Sequence, residues 1–374
     1  MIYLDNAATS YPKPRCVINE FERALKIGGG NPGRSSHRLS VSASEIIFDS
    51  REAVAKLFSL PNAENVVFCY NATHALNLAI KSYVKDGAHV IISDIEHNSV
   101  LRPIHAMSQR NGVSYSCFDS KGDIDKEIVR LMTPRTTCIV SSLMSNVTGE
   151  SIDLDTLSKA ARKRGLFLIV DASQIAGHRK IEMRSDTCDV LCAPAHKGLF
   201  GISGCGFALF RECERMQSFI EGGSGSESMN PEMPITLPDA YEAGTPATAA
   251  IASLRSGIDL VNKIGLEHIE SRLNSLCAIL GAELSERKAI RLYSSQNGIT
   301  LFNLNGYDSS TVARLLDKRN ICVRDGLHCA PLAHKKIGTI GEGAIRVSFS
   351  CFNTQDEIKE LLSALDEIAS GKMF

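Results

Sequence analysis

Leu168 to His178 reads "LIVDASQIAGH", and the two residues before it, Leu166 and Phe167, extend its apolar start to Val170. An unbroken apolar run of this length, with no polar alternation, predicts a strand covered on both faces, as in a parallel sheet flanked by helices. The run stops at Asp171, and the carboxyl ends of such strands are where open α/β sheets hold their ligands. A carboxylate there needs a cationic or donor partner, because an unpaired buried charge is costly. A simple helix cap is the competing reading of Asp171.

Outward from this strand, the same pattern repeats. "NVVFCY", "HVIIS", "VSYSCF", "TTCIVSSLM", "LFLIVDAS", "DVLCAPA" and "GFALF" supply seven strand-like runs between about residues 65 and 210. Helical periodicity separates the first five in "THALNLAIKSYV", a stretch after Ser99, "IDKEIVRLM" and "LDTLSKAARKRG". Strands alternating with helices predict the α/β class with a mostly parallel sheet. Glu221 to Pro246, rich in Gly, Ser and Pro, reads as an ordered loop or boundary. Helices are expected over Ala247 to Lys263 and from Leu266 to about Lys288. The remainder reads β, α, β, β, α, a small α+β unit.

Composition narrows the function classes. The 374 residues are 44% hydrophobic and 22% charged, with 41 basic against 42 acidic. So balanced a charge leaves no electrostatic footprint for nucleic acid or an anionic membrane, and neither is expected as a partner. "MIYLDNAATS" lacks the basic-then-apolar form of a secretory signal, and no run approaches a membrane span. A cytoplasmic location is expected, with the twelve cysteines reduced. No CxxC pair is present, which weakens zinc-ribbon and thioredoxin-like readings.

Several positions carry chemistry. "APAHKGLFGISGCG" places His196 and Lys197 between a strand and a glycine-rich turn, a setting for a desolvated lysine that forms a Schiff base. Most lysines are only solvated charges, but Asp171 and Lys197 together match pyridoxal phosphate enzymes, which need a lysine imine and a carboxylate on the pyridinium nitrogen. "YNATHALN" is a strand-to-helix junction, where Ala72 and Thr73 are candidates to cradle a phosphate and Asn71 to cap the helix. His97 in "DIEHNSV" offers a flat ring for stacking.

"YLDNAATS", "GNPGRSSH", "NATHALN", "EHNS", "SNVTGE", "VDASQ", "AHKGLFG", "YEAGTP", "GLHCAP" and "IRVSFSCFNT" follow one another through nearly the whole chain. In order and spacing they resemble the class V aminotransferase superfamily, and more closely its cysteine desulfurase and selenocysteine lyase group. The resemblance implies a fold-type I pyridoxal phosphate enzyme with a seven-stranded, mostly parallel sheet. Its expected divisions are an N-terminal segment (1–20) packing with the small domain, a large cofactor-binding domain (21–260) and a small C-terminal domain (261–374) bearing the cysteine loop. It implies pyridoxal 5′-phosphate as an imine on Lys197, with Asp171 at the pyridinium nitrogen, Gln174 near the phenolic oxygen and His97 stacked on the ring. Thr73 and His196 fall at phosphate contacts, and Thr245 at one donated across a homodimer interface. Asn146 falls beside cofactor or substrate, Asn31 at the substrate, and Arg346 where the family clamps the substrate α-carboxylate. Lys197, Cys329 and His97 are the catalytic candidates. The chain departs from the family at Pro194, where a phosphate-binding serine is usual, at His74, usually acidic, and at Tyr70 and Asn71.

Cys329, in "GLHCAPLAH", has three readings: a packing residue, a metal ligand with His328 and His334, or a nucleophile. A metal needs four ligands, or three and a water, and adjacent His328 and Cys329 converge poorly; no metal is expected. Gly and Pro mark a loop rather than a core strand, and loops on rigid scaffolds concentrate reactive residues. The short loop resembles that of group II desulfurases. This implies conversion of L-cysteine to L-alanine with a persulfide on Cys329 for an acceptor protein, and His328 is expected to help keep the thiol ionised. His334 is left without a role. The alternatives are selenocysteine lyase acting on L-selenocysteine, a C–S lyase or epimerase, and a non-catalytic binding protein on this fold.

Overall fold

The structure is a computed structural model and describes residues 1–33, 36–212 and 217–371. Arg34 and Ser35 of the "GNPGRSSH" motif lie outside the described residues. The chain begins with a two-residue strand, β1 (Ile2–Tyr3), and two helices, α1 (Arg15–Ile27) and α2 (Arg38–Leu57). Then come β2 (Val66–Cys69), α3 (Ala72–Tyr83), β3 (His89–Ser93), α4 (Asn98–Arg110), β4 (Ser114–Phe118), α5 (Ile124–Leu131) and β5 (Thr136–Ser142). They are followed by α6 (Leu154–Arg162), β6 (Phe167–Asp171), β7 (Val190–Pro194) and β8 (Gly206–Phe210).

These seven strands, β2 to β8, are the seven runs read from the sequence, and they form one sheet in the order β2-β8-β7-β6-β5-β3-β4. β3 to β7 run parallel, and β8 runs against both its neighbours. Alternation along each strand shows why the runs are apolar throughout. Leu168 and Val170 pack on one face with α2, α5, α6 and the later helix α7 (Thr248–Ile264), while Phe167 and Ile169 pack on the other with α3 and α4. Both faces are buried, so polar alternation has no place to appear. All five residues of β6, Asp171 included, are buried.

After α7 come α8 (Leu266–Ser285), β9 (Ile290–Gln296), β10 (Ile299–Leu304), α9 (Ser309–Lys318), β11 (Ile321–Cys322), α10 (Pro331–Ile337), β12 (Ile345–Ser348) and α11 (Gln355–Ala369). β12, β10 and β9 make an antiparallel three-stranded sheet. Its core joins Leu273, Phe302, Val347 and Ile358 to Leu4 and Val17 from the chain's beginning. β1 pairs in parallel with β11, so the N-terminal segment is stitched to C-terminal elements.

Three expectations need correction. The helix expected to reach about Lys288 ends at Ser285, and β9 was not foreseen. β9 and β10 are joined through Asn297 and Gly298, both at positive φ, the conformation a tight two-residue hairpin demands and an Asn-Gly pair supplies. The "GLHCAPLAH" stretch is loop only as far as Ala330; from Pro331 it is the helix α10, with proline in its first turn and left-handed Gly338 closing it. Among the described residues, no helix is long and apolar enough to cross a membrane.

Candidate active site

Volume does not select the site. A groove of about 620 Å³ between α8 and α11 is larger than the cavity of about 240 Å³ at the carboxyl ends of β5, β6 and β7, yet only the latter brings reactive groups together. The smaller cavity is lined by Lys197, Asp171, His97, Cys329 and Arg346, and by Ala72, Thr73, Asn146, Gln174 and His196. Ten of the twelve residues proposed from the sequence therefore share one cavity. Asn31 does not line it: it is exposed, and its carbonyl accepts a hydrogen bond from Ser40 Oγ at the start of α2. Thr245 lines a separate hollow with Tyr70 and His74.

Lys197 follows β7 in a turn held by backbone hydrogen bonds from Phe200 to Lys197 and from Gly201 to Ala195. Gly257 of α7 lets that turn sit close, since a Cβ there would meet the Leu199 carbonyl. Withdrawal from water pushes the Lys197 amine down to about 8, with Arg346 and Arg324 adding to the effect and Asp171 opposing it. A neutral amine is the form that adds to an aldehyde, so capture of pyridoxal phosphate by the apoprotein is expected to accelerate as pH rises through about 8. The rate of appearance of the cofactor's visible band across a pH series checks this; a profile with no inflection until the ordinary lysine range would contradict it.

Asp171 lines the cavity and its Oδ1 accepts the Ser173 amide at 2.8 Å, but a turn rather than a helix follows it, so the helix-cap reading fails. Asn71 does cap α3, through the His74 amide at 2.9 Å, while Ala72 and Thr73 in the helix's first turn line the cavity. His97 caps α4 through Ser99: its Nδ1 accepts the Ser99 amide at 3.0 Å and lies 2.9 Å from Ser99 Oγ. Burial holds the His97 ring below its usual pKa. Ser99 Oγ is also 2.7 Å from Thr73 Oγ1, so a further hydroxyl stands beside the phosphate candidate in a cavity that Pro194, which has none, also lines.

Glu96, overlooked in the sequence, is fully buried, and burial raises it to about 7. It bonds the Ser142 amide at 2.7 Å, the Ser142 hydroxyl at 2.8 Å and the Ser93 hydroxyl, fixing the turn before His97 against β5. Gln174 Nε2 donates to the Ala7 carbonyl at 3.0 Å, and the His196 carbonyl accepts from the Ser10 amide and from the side chains of Thr9, Ser10 and Lys13. The N-terminal segment thus forms one wall. His196 Nδ1 is buried without a hydrogen-bond partner, a polar atom that a bound anion would satisfy. With the Lys197 amine, the Asp171 carboxylate at a strand end and the α3 first turn, the residues fit pyridoxal phosphate.

Arg346, on β12, is 2% exposed. Its Nη1 donates to the Asn146 carbonyl at 2.8 Å and its Nη2 to Asp5 Oδ1 at 2.6 Å. Each terminal nitrogen keeps one further hydrogen for a carboxylate. Arg324 also lines the cavity and pairs backbone to backbone with Arg346. Neither Asp5 nor Arg324 was assigned a role from the sequence; the only signals were their places in "YLDNAATS" and just ahead of the cysteine loop.

Cys329 is exposed at the cavity, unlike the six buried cysteines among the described residues, so it is not a packing residue. His328 and Cys329 have φ of 50° and 56°, two successive left-handed residues that are not glycine. Each such residue costs roughly 1–3 kcal/mol, which surrounding contacts must offset. Asn146 Nδ2 donates to the His328 carbonyl and the Asn98 amide to the Cys329 carbonyl, both at 2.7 Å.

Two expectations about this loop fail. His328 does not serve the thiol as a cation: burial and the Arg346 charge push its ring down to about 2, so it is neutral. His334 is not idle: its Nε2 lies 3.0 Å from His328 Nδ1 and its Nδ1 lies 2.7 Å from Thr339 Oγ1. His328 Nε2 is engaged with the Arg324 carbonyl at 3.3 Å. All four ring nitrogens are committed, which leaves no lone pair for the metal reading.

Comparison with known proteins agrees with this geometry. The class V aminotransferase family profile matches residues 2–361. A probable cysteine desulfurase of Xylella fastidiosa is 32% identical over 98% of this chain and 90% of its own length. One of Methanothermobacter thermautotrophicus is 30% identical, over 98% and 94%. Among solved structures, the apo cysteine desulfurase of Thermococcus onnurineus superposes with a TM-score of 0.90 at 28% identity, covering 99% of this chain and 95% of that one. A cysteine desulfurase of Escherichia coli superposes with 0.88 at 26%, covering 98% and 94%. Sequence order, fold and cavity agree: this chain belongs to the class V aminotransferase family.

Proposed function

We propose that the chain is a pyridoxal phosphate-dependent cysteine desulfurase that converts L-cysteine to L-alanine and carries the removed sulfur on Cys329. The observation that carries this reading is the meeting of the Cys329 thiol and the Lys197 amine, distant in sequence, in one cavity. Lys197, Asp171, Gln174, His97, Ala72, Thr73 and His196 would hold the cofactor. Bound there, pyridoxal phosphate supplies a carbonyl for amines and a ring that accepts charge from the substrate's α-carbon.

The chain's own residues do the rest. Arg346 takes the α-carboxylate with the free hydrogens of its terminal nitrogens, a planar arrangement suited to a carboxylate, and Asn146 lies beside it. The Lys197 amine, once free, removes the α-proton at Nζ; a desolvated lysine near neutral pKa is a competent base. Cys329 Sγ attacks the substrate sulfur. The S–S bond forms, the substrate Cβ–S bond breaks, and that bond's electron pair stays with the three-carbon fragment. Protonated, the fragment leaves as alanine, so one cysteine gives one alanine and one persulfide.

An acceptor of thiol chemistry must then take the sulfur, and the exposed position of Cys329 suits that transfer. The working unit is a cytoplasmic homodimer, in which the partner subunit's copy of Thr245 reaches the cavity. The divisions are those of the sequence: 1–20, 21–260 and 261–374. Alanine and sulfide released in equal amounts from L-cysteine with thiol reductant present is the expected result for the cofactor-loaded protein. Turnover of L-selenocysteine alone would overturn it.

A further inference from the structure

His334 and Thr339 lie behind the cysteine loop, both fully buried, and neither lines the cavity. Their hydrogen bonds have a forced direction. The Arg324 carbonyl can only accept, so His328 Nε2 carries the proton and, in the neutral ring, His328 Nδ1 must accept. His334 therefore donates from Nε2, which makes His334 Nδ1 an acceptor and the Thr339 hydroxyl its donor. The two rings are nearly parallel, with centroids 5.3 Å apart. A chain of three hydrogen bonds thus runs from Thr339, just past α10, through His334 and His328, the residue before Cys329, to the Arg324 carbonyl, and it tolerates one tautomer of each histidine.

We infer that His334 is a positioning residue for the nucleophile: through His328 it holds the left-handed backbone that sets where Cys329 Sγ stands over the cavity. The inference rests on the reading of Cys329 as the nucleophile. α10, tied to the rest of the fold through Lys336 at 2.9 Å from Asp94 and 3.1 Å from Glu150, is the fixed frame against which the loop is held.

The test compares holoenzyme variants by steady-state alanine release and by the rate at which iodoacetamide alkylates Cys329, read on the isolated peptide. His334→Phe keeps an aromatic ring and removes both hydrogen bonds. A displaced nucleophile is expected to lower kcat roughly 10- to 100-fold, with KM unchanged because Arg346 is untouched, and to alter the alkylation rate. His334→Gln restores a donor toward His328 and is expected to recover most of kcat. Thr339→Val, nearly isosteric, breaks the outer bond and is expected to lower kcat severalfold at constant KM; it decides the question if His334→Phe does not fold. A wild-type kcat in His334→Phe or Thr339→Val, or a Gln variant as slow as the Phe variant, overturns the inference. Cys329→Ala, assayed alongside, separates the two claims: turnover without that thiol overturns the nucleophile reading itself, whereas an inactive Cys329→Ala beside a fully active His334→Phe overturns only the positioning role.

Discussion

Cys329→Ala is expected to stop the release of alanine and sulfide from cysteine almost completely while leaving cofactor binding intact. Without a thiol acceptor, the substrate sulfur has no partner for its new bond, and a lone methyl group supplies none. Loss of a covalent nucleophile typically costs several powers of ten, and about a thousandfold or more is expected here. The thiol is exposed and fills no core space, so its removal opens no cavity and stability should change by less than about 0.5 kcal/mol. The visible spectrum after pyridoxal phosphate is added should match that of the wild type. A variant that still turns over cysteine would place the chain among lyases that need no thiolate.

Lys197→Ala is expected to fail earlier. It removes both the amine that captures the cofactor and the base that takes the α-proton, and a positioned general base alone contributes about 10²- to 10⁴-fold. No alanine should form, and the absorbance of a protein-bound imine should be absent even at high cofactor concentration. The amine is held below its ordinary pKa by desolvation, so its charged form is disfavoured in the fold. Alanine there relieves that strain, and the thermal midpoint of the apoprotein should not fall. A lowered midpoint would mean that Lys197 also supports the turn between β7 and β8. Together the two variants separate capture of the cofactor from transfer of sulfur.

The large sheet was legible because burial on both faces strips polar residues from β2 to β8, leaving runs that turns and helices punctuate. β9 escaped because none of its residues is fully buried: they are intermediate or exposed, and a helix ending at Ser285 merges with it in composition. The Asn297-Gly298 pair was the available signal. α10 escaped because seven residues are too few to show a helical period, although Pro331 and Gly338 bracket it.

In the site, residues with their own chemistry stood out: an amine and a carboxylate at strand ends, a threonine in a helix's first turn, a cysteine in a loop. Residues whose role is to hold others did not. Asp5 meets Arg346 across 341 positions of sequence, and Ser99 meets Thr73 across 26. His328 was misjudged because a histidine beside a cysteine suggests an ion pair; its burial and the Arg346 charge, visible only in the fold, make it neutral. His334 carries no visible role once the metal reading falls, because its partner Thr339 is brought to it only by the close of α10, a helix too short to read from the sequence. Asn31 stands apart: a motif carried it toward the substrate, and the single chain leaves it outside the cavity.

The central claim is that sulfur passes to Cys329. Mixing the cofactor-loaded protein with one equivalent of L-cysteine, without reductant, and weighing its peptides by mass spectrometry tests this directly. The peptide containing Cys329 is expected to gain the mass of one sulfur atom, in step with alanine formed, and to lose it when dithiothreitol is added. Alanine formed with that peptide unchanged, or with the sulfur on another cysteine, would contradict it.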